Sequence, residues 1–198
     1  MKKGLISVIT AALFLGCVGL ASAEEIGNSP RLNIAKKTTG FIAGWASGFF
    51  FHEAGHEIVA RLEGVDMGWS GVFNTRWTVF TSNKNKLRHI ALAGFGAQIV
   101  STEIILGIDQ IPKDNAYVLG WLAFNVFNSF YYPLVNQLRG GYGDIETVRK
   151  TGIDTAYVEI GLIAHGLLTA YRVYNNPKFI PYVKATKEEL ILGISWSF

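Results

Sequence analysis

Two histidines and a glutamate stand close together in an apolar, aromatic segment, "GFFFHEAGHEIVARLEGV", which covers residues 48–65. On a helix, His52 and His56 share one face, one turn apart. Two imidazoles at this spacing can bind one zinc ion, with Glu53 as the general base toward a water molecule on the zinc. Zinc lowers the pKa of that water toward neutrality, and Glu53 takes its proton as the water attacks a carbonyl carbon. We expect Gly55 to leave room beside the metal.

A different reading of the same motif needs no metal. His52 and His56 would then cap the end of an interfacial helix, with Glu53 and Glu57 solvated. The chain has only four histidines, however, and two of them fall in this pattern within an apolar stretch. Because ionisable groups inside a membrane are functional candidates by default, the sequence favours the metal site.

The elements that must position the motif are four long apolar stretches, at residues 38–62, 89–108, 115–138 and 153–173. Each is about as long as a helix needs to be to cross a bilayer. Charged residues make up 17% of the 198 residues, against about 25% in a typical soluble domain. We therefore expect a mainly α-helical, polytopic membrane protein of about four spans. The alternative is a soluble bundle with buried helices.

The N-terminal segment, "MKKGLISVITAALFLGCVGLASAEE", has the layout of a secretory signal peptide: two lysines, an apolar run and a small-residue cleavage pattern. We expect cleavage after Ala23, with an uncleaved membrane anchor as the alternative. Cys17 is the single cysteine, so the mature chain would have no thiol for a disulfide or a nucleophile. The predicted organisation is a signal peptide (1–23), a membrane-embedded domain (24–174) and a strand-like tail (175–198).

The segment between the first two apolar stretches alternates apolar and polar residues around its glycines, which predicts a β-hairpin at residues 67–80. Basic residues are concentrated in the loops after the first and third stretches, and the positive-inside rule places such loops in the cytoplasm. We therefore expect a multi-pass protein of a bacterial-type inner membrane. The net charge of +3 is too small and too scattered to indicate a nucleic-acid partner.

The motif and its surroundings resemble the site-2 protease family of intramembrane zinc metalloproteases. The resemblance rests on HEAGH, the following Ala60-Arg61 and Gly64-Val65, the hairpin, and "LRHIALAGFGAQIV" with its Ala93-Gly94 pair. It covers residues 40 to about 150. It implies zinc as the cofactor and Glu53 as the catalytic residue. It also implies that the partners are the lipid bilayer and a membrane-protein or peptide substrate, cut within or beside a membrane segment.

The resemblance leaves the third zinc ligand open. The family supplies an aspartate from a Leu-Asp-Gly segment, but Val135 stands at the corresponding place here. The nearest downstream aspartate is Asp144, in "GGYGDIE", and the predicted topology puts it at the same membrane depth as the histidines. We predict Asp144 as the third ligand, with helix N-capping as its alternative role. Asp154 is the second choice, and it is also a candidate cap of the fourth span.

Five further polar side chains have predicted roles. Glu103 and Glu159 are fallback ligands, although Glu103 lies near the opposite membrane face in the predicted topology. His165 is predicted to be a hydrogen-bonded core histidine. We predict that Asn125 or Asn128 hydrogen-bonds the backbone of an extended substrate.

Two other functions are consistent with the sequence. The missing Leu-Asp-Gly favours a non-catalytic membrane or metal-binding relative of the family. The C-terminal "ELILGISWSF" alternates Leu192, Ile194, Trp196 and Phe198 with small residues, which resembles the closing strand of a small outer-membrane β-barrel. Such barrels have alternating strands of about 10 residues, whereas residues 89–138 form long apolar runs. We therefore prefer a C-terminal strand or hairpin beside a helical domain.

Overall fold

The computed structural model describes residues 30–70, 76–139, 143–175, 180–185 and 190–195. These residues are mainly helical, in helices α1 (Pro30–Leu62), α2 (Lys84–Gly107), α3 (Ala116–Arg139), α4 (Gly143–Lys150) and α5 (Ala156–Tyr174). The described strands form two antiparallel hairpins. Strand β1 (Met67–Ser70) pairs with β2 (Arg76–Val79), and β3 (Ile180–Ala185) pairs with β4 (Leu190–Ser195). The predicted helical fold and the hairpin after the first helix are thus confirmed. The predicted signal peptide, with Cys17 and the cleavage site, lies outside the described residues.

The helices follow the predicted apolar stretches but begin earlier at two places. Helix α1 begins at Pro30 rather than at residue 38. Helix α2 begins at Lys84 rather than at residue 89, because the Asn83 side chain accepts hydrogen bonds from the backbone N–H groups of Asn85 and Lys86, at 3.0 and 3.3 Å. An asparagine in this position satisfies N–H groups that have no partner within the helix. A short polar cap, rather than the apolar run, therefore determines this boundary.

Helices α1 and α3 lie against each other backbone to backbone. A Cβ atom placed on Gly44 would lie 1.8 Å from the carbonyl oxygen of Tyr117, and one on Gly120 would lie 2.0 Å from that of Phe41. Only glycine permits so close an approach, and small residues at helix contacts of this kind are typical of membrane helices. The contact holds the histidine-bearing helix against α3.

Gly55 also allows a close approach of α1 to α2, although less close than that of α1 to α3. Its Cβ atom would lie 2.5 Å from the carbonyl oxygen of Ala93 and 2.9 Å from Cβ of Ala97. The expectation that Gly55 leaves room beside a metal is therefore wrong, because the space next to it is filled by the backbone of α2.

Among the described helices, α2 is long and apolar enough to cross a membrane, judged by length and composition. The other long helices carry charged and amide side chains within their apolar stretches. Length and composition thus support one span in the described part of the chain. The β-barrel alternative is not supported there, since residues 84–107 and 116–139 form helices where a barrel requires strands.

Candidate metal centre

Three buried side chains from two helices converge between α1, α2 and α4. Nε2 of His52 and Nε2 of His56 lie 3.2 and 3.3 Å from Oδ2 of Asp144. The three residues are 2%, 0% and 2% exposed. A tetrahedral zinc ion with bonds of about 2.0–2.1 Å holds its ligand atoms about 3.3 Å apart. The two distances to Asp144 match this value, and all three ligand atoms lie within 4.8 Å of one another, so the group could hold a metal ion.

The orientation of His56 makes its Nε2 atom available to a cation. Its Nδ1 atom lies 2.6 Å from the backbone oxygen of Ile90. Because a carbonyl oxygen only accepts, Nδ1 carries the hydrogen and Nε2 of the neutral ring keeps a lone pair. That buried Nε2 has no hydrogen-bond partner among the described residues. A lone pair facing the Asp144 carboxylate is repelled by it, so a proton or a metal cation must lie between them. Metal-binding histidines are commonly oriented by such a carbonyl.

Gly94 clears the space into which the two imidazoles point. A Cβ atom on Gly94 would lie 2.5 Å from Nε2 of His56 and 2.6 Å from Nε2 of His52. Any larger residue at this position would collide with both nitrogen atoms. The glycine of the Ala93-Gly94 pair, rather than Gly55, therefore makes the room that a metal ion requires.

Asp144 is brought to the histidines by the turn that begins α4. Gly143 has a φ of +68°, a left-handed conformation that glycine adopts without steric cost. The next residue after Asp144, Ile145, packs with Phe95 and Leu162. Burial opposes the ionisation of Asp144, but His56 and His52 outweigh it and hold the pKa of Asp144 well below its usual range. Asp144 thus lies in the first turn of α4, beside the two histidines of α1, and its role as third ligand stays a prediction.

Glu53 follows His52 directly in α1. Its Oε2 atom is buried and has no hydrogen-bond partner in the part of the chain that is described. Glu57, one turn further on, pairs with Arg61 at 2.6 Å. Of these two glutamates, Glu53 is the one with a buried carboxylate oxygen that lacks a hydrogen-bond partner among the described residues.

Aromatic rings from three elements enclose the centre. His52 stacks on Tyr132 with ring centroids 6.0 Å apart and meets the ring of Phe95 at 5.4 Å. His56 contacts Trp77 of strand β2 at 5.0 Å. The hairpin therefore reaches the centre directly. Apolar rings around buried polar groups exclude water and strengthen the electrostatic interactions among them.

The two asparagines predicted to bind substrate belong to a buried polar network between α2 and α3. The Asn125 amide donates to Thr102 Oγ1 at 2.8 Å. Gln98 donates to the backbone oxygen of Asn125 and to Ser129 Oγ, at 2.8 and 2.7 Å. The Asn125 amide is thus engaged within the fold, and its role toward substrate stays a prediction.

Asn128 lies closer to the histidines. Its amide nitrogen donates to Gln98 Oε1 at 2.8 Å and lies 3.4 Å from Nδ1 of His52. It therefore contacts the predicted ligand directly. Its role toward substrate also stays a prediction.

The alternative ligands lie apart from the centre. Asp154 accepts a hydrogen bond from the backbone N–H of Ala156 at 3.0 Å, which is the capping role proposed for it. Glu159 binds two carboxamides of α3, and Glu103 binds Arg172 at 2.7 Å. His165 is largely buried, but neither ring nitrogen makes a hydrogen bond to the described residues, so the predicted hydrogen bond is not found. Of the predicted candidates, Asp144 is the one that joins the histidines.

The sequence reasoning missed three contributors to this centre: Gln98, Tyr132 and Trp77. Gln98 could have been noticed as a lone amide in an apolar helix, because such residues usually have an internal partner. Tyr132 and Trp77 are single aromatics among many, and their proximity to the histidines depends on packing that no local pattern reveals.

Comparison with protein-family models, with curated proteins and with solved structures finds no match to this chain.

Proposed function

We propose that this protein is a zinc-dependent intramembrane metalloprotease that hydrolyses a peptide bond in or near a membrane segment. The observation that carries the proposal is the convergence of His52, His56 and Asp144, with a Glu53 oxygen atom beside His52 that has no hydrogen-bond partner among the described residues. Gly94, which leaves the space between the two imidazoles, supports it. The HEAGH sequence and its resemblance to site-2 proteases indicate the class of reaction.

Each residue of the centre has a distinct part in this proposal. Zinc, when bound, would acidify a water molecule and polarise the substrate carbonyl. His56 presents Nε2 because Ile90 holds its Nδ1–H. Asp144 supplies a negative charge that two neutral imidazoles lack. Glu53 accepts the proton of the attacking water and returns it to the leaving amine, so no proton has to be exchanged with the apolar surroundings.

The outer face of α5 supports a membrane location for this helix as well as for α2. Exposed Ile160, Ile163, Leu167 and Leu168 form its centre, with exposed Tyr157 near one end, and Tyr171 and Tyr174 near the other. The helix has 19 residues, about 29 Å at 1.5 Å per residue, and a bilayer core is about 30 Å thick. Aliphatic residues between two tyrosine borders are the usual pattern of a lipid-facing helix.

The charges of α5 are consistent with this location because they have internal partners. Glu159 is 6% exposed and accepts hydrogen bonds from Asn136 and Gln137. Arg172 binds Glu103, and both lie within the last turns of their helices, at the depth of a membrane interface. We therefore propose that α1, α2, α3 and α5 all span the membrane.

The proposed compartment is a bacterial-type inner membrane. The end of the bundle where α1 stops and α2 starts carries a concentration of basic residues, which are Arg61, Lys84, Lys86, Arg88, Arg149 and Lys150. The positive-inside rule places this end in the cytoplasm. Because His56 lies less than two turns from the end of α1, the centre would lie in the cytoplasmic half of the membrane.

The catalytic part of the proposal is tested with Glu53→Gln and the matched control Glu57→Gln. Each protein is loaded with zinc and reconstituted in vesicles with a set of single-span peptides that carry a fluorophore and a quencher. We expect cleavage by the wild type and by Glu57→Gln, and none by Glu53→Gln, although its zinc content is unchanged. Undiminished cleavage by Glu53→Gln would refute the role of Glu53. Bound zinc without cleavage by the wild type or either variant would instead favour the non-catalytic relative.

A further inference from the structure

Helix α4 carries Asp144 and has only eight residues, so its position needs support from outside. Its apolar side, Ile145 and Val148, is fully buried. Apolar contacts of this kind are not directional, and they allow a short helix to rotate or slide by a fraction of an ångström. A ligand atom on such a helix needs a directional contact as well.

That contact is a polar bridge through Asn136, which connects α4 with α3 and α5. Asn136 donates its amide hydrogen to Glu159 Oε1 at 2.5 Å. Its carboxamide oxygen accepts a hydrogen bond from the guanidinium group of Arg149, in the last turn of α4. Gln137 donates to Glu159 Oε2 at 2.9 Å. Both oxygens of the Glu159 carboxylate are thus occupied by amides of α3.

The bridge can form in one orientation of the Asn136 carboxamide, and its Asn136–Glu159 part is buried, whereas the Arg149 side chain is 42% exposed. Asn136 and Glu159 are each 6% exposed. The donor side of the Asn136 carboxamide faces a carboxylate and its acceptor side faces a guanidinium, so exchanging the two sides would be unfavourable at both ends. Hydrogen bonds to charged groups are stronger than neutral ones, particularly where water is excluded. The bridge therefore fixes the last turn of α4 relative to α3.

We propose that Asn136 and Arg149 are positioning residues, which hold α4 so that the Asp144 carboxylate stays at bonding distance from a metal on His52 and His56. The proposal rests on the proposed function, because it takes Asp144 as a zinc ligand. Neither residue belongs to the group of three candidate ligands. A variant without the bridge should therefore keep all three ligand residues, but the position of the Asp144 carboxylate relative to the histidines should be less fixed.

The test compares Arg149→Met with Lys150→Met. Both substitutions remove one positive charge from α4, and both residues pair with Glu146, at 3.0 and 3.7 Å. Of the two, Arg149 is the one that binds Asn136. Release of zinc from the purified, zinc-loaded protein to an excess of a coloured chelator gives the dissociation rate. The visible spectrum of the Co²⁺-loaded protein reports the geometry of the ligands.

We expect zinc to leave Arg149→Met about 10-fold faster than the wild type, the lower end of what loss of a supporting contact around a metal site costs. The Co²⁺ spectrum should also change, whereas Lys150→Met should match the wild type in both. Arg149→Lys, which can still donate to Asn136, should recover a large part of the slow release. Equal release rates and spectra in Arg149→Met and Lys150→Met would overturn the inference and leave the zinc site intact. A wild type that binds no zinc would overturn the proposed function and this inference with it.

Discussion

Oδ2 of Asp144 lies 3.2 Å from Nε2 of His52, although 92 positions separate the two residues in the chain. Of the described helices, the longest carries the histidines and the shortest carries the carboxylate. Their meeting requires the close approach of α1 to α2 at Gly55 and Gly94. The centre is therefore a product of the tertiary fold, and each of its parts can be tested separately.

Replacement of Asp144 by asparagine tests the third ligand. The substitution keeps the size of the side chain and removes the charge that compensates a divalent cation. We expect zinc affinity to fall by more than about 100-fold, since even supporting contacts around a metal site are worth about 10–100-fold. The matched control is Asp154→Asn, which alters the cap of α5 and should leave zinc affinity unchanged. The zinc affinities are measured by competition with a chelator of known affinity. A large loss of affinity in Asp154→Asn, with none in Asp144→Asn, would make Asp154 the ligand.

Replacement of Gly94 by alanine tests the space between the imidazoles. The added Cβ atom would lie within 2.6 Å of both Nε2 atoms, so we expect zinc binding to be lost or severely weakened. Gly96→Ala is the control, because a Cβ atom there meets nothing within 4 Å. Circular dichroism shows whether each variant keeps its helices. Full zinc occupancy of Gly94→Ala would mean that the metal lies elsewhere.

Labelling of single cysteines tests the proposed span of α5. Leu167 is 59% exposed at the middle of the aliphatic face, and the Lys150 side chain is 68% exposed at the basic end. In a background without Cys17, a membrane-impermeant maleimide should label Lys150→Cys in inverted vesicles and should not label Leu167→Cys until the protein is denatured. Prompt labelling of Leu167→Cys would show that this face is in water.

Local features of the sequence predicted much of the fold and the histidine part of the centre. Helix and strand positions follow from apolar runs and alternation, and these patterns depend on residues close in sequence. The spacing of His52 and His56 predicts a shared helix face for the same reason. Asp144 was predicted from its glycine-rich turn and from the side of the membrane on which that turn should lie.

The supporting contacts could not be predicted in this way. Whether Gly55 or Gly94 makes room for a metal depends on which face of α1 meets α2, and the two glycines look alike in the sequence. The pairing of Glu159 with Asn136 depends on the crossing of α5 and α3. Both are consequences of packing between distant segments, for which one sequence contains no local pattern.

The most direct test of this account is the zinc content of the detergent-purified protein, measured by mass spectrometry of the metal beside the variant His56→Ala. The account predicts about one zinc per chain in the wild type, as expected for a single three-ligand site, and almost none in the variant. His89→Ala is a suitable control, since His89 pairs with Glu63 outside the centre, and it should retain its zinc. A wild type without zinc, or a His56→Ala variant with as much zinc as the wild type, would contradict the account.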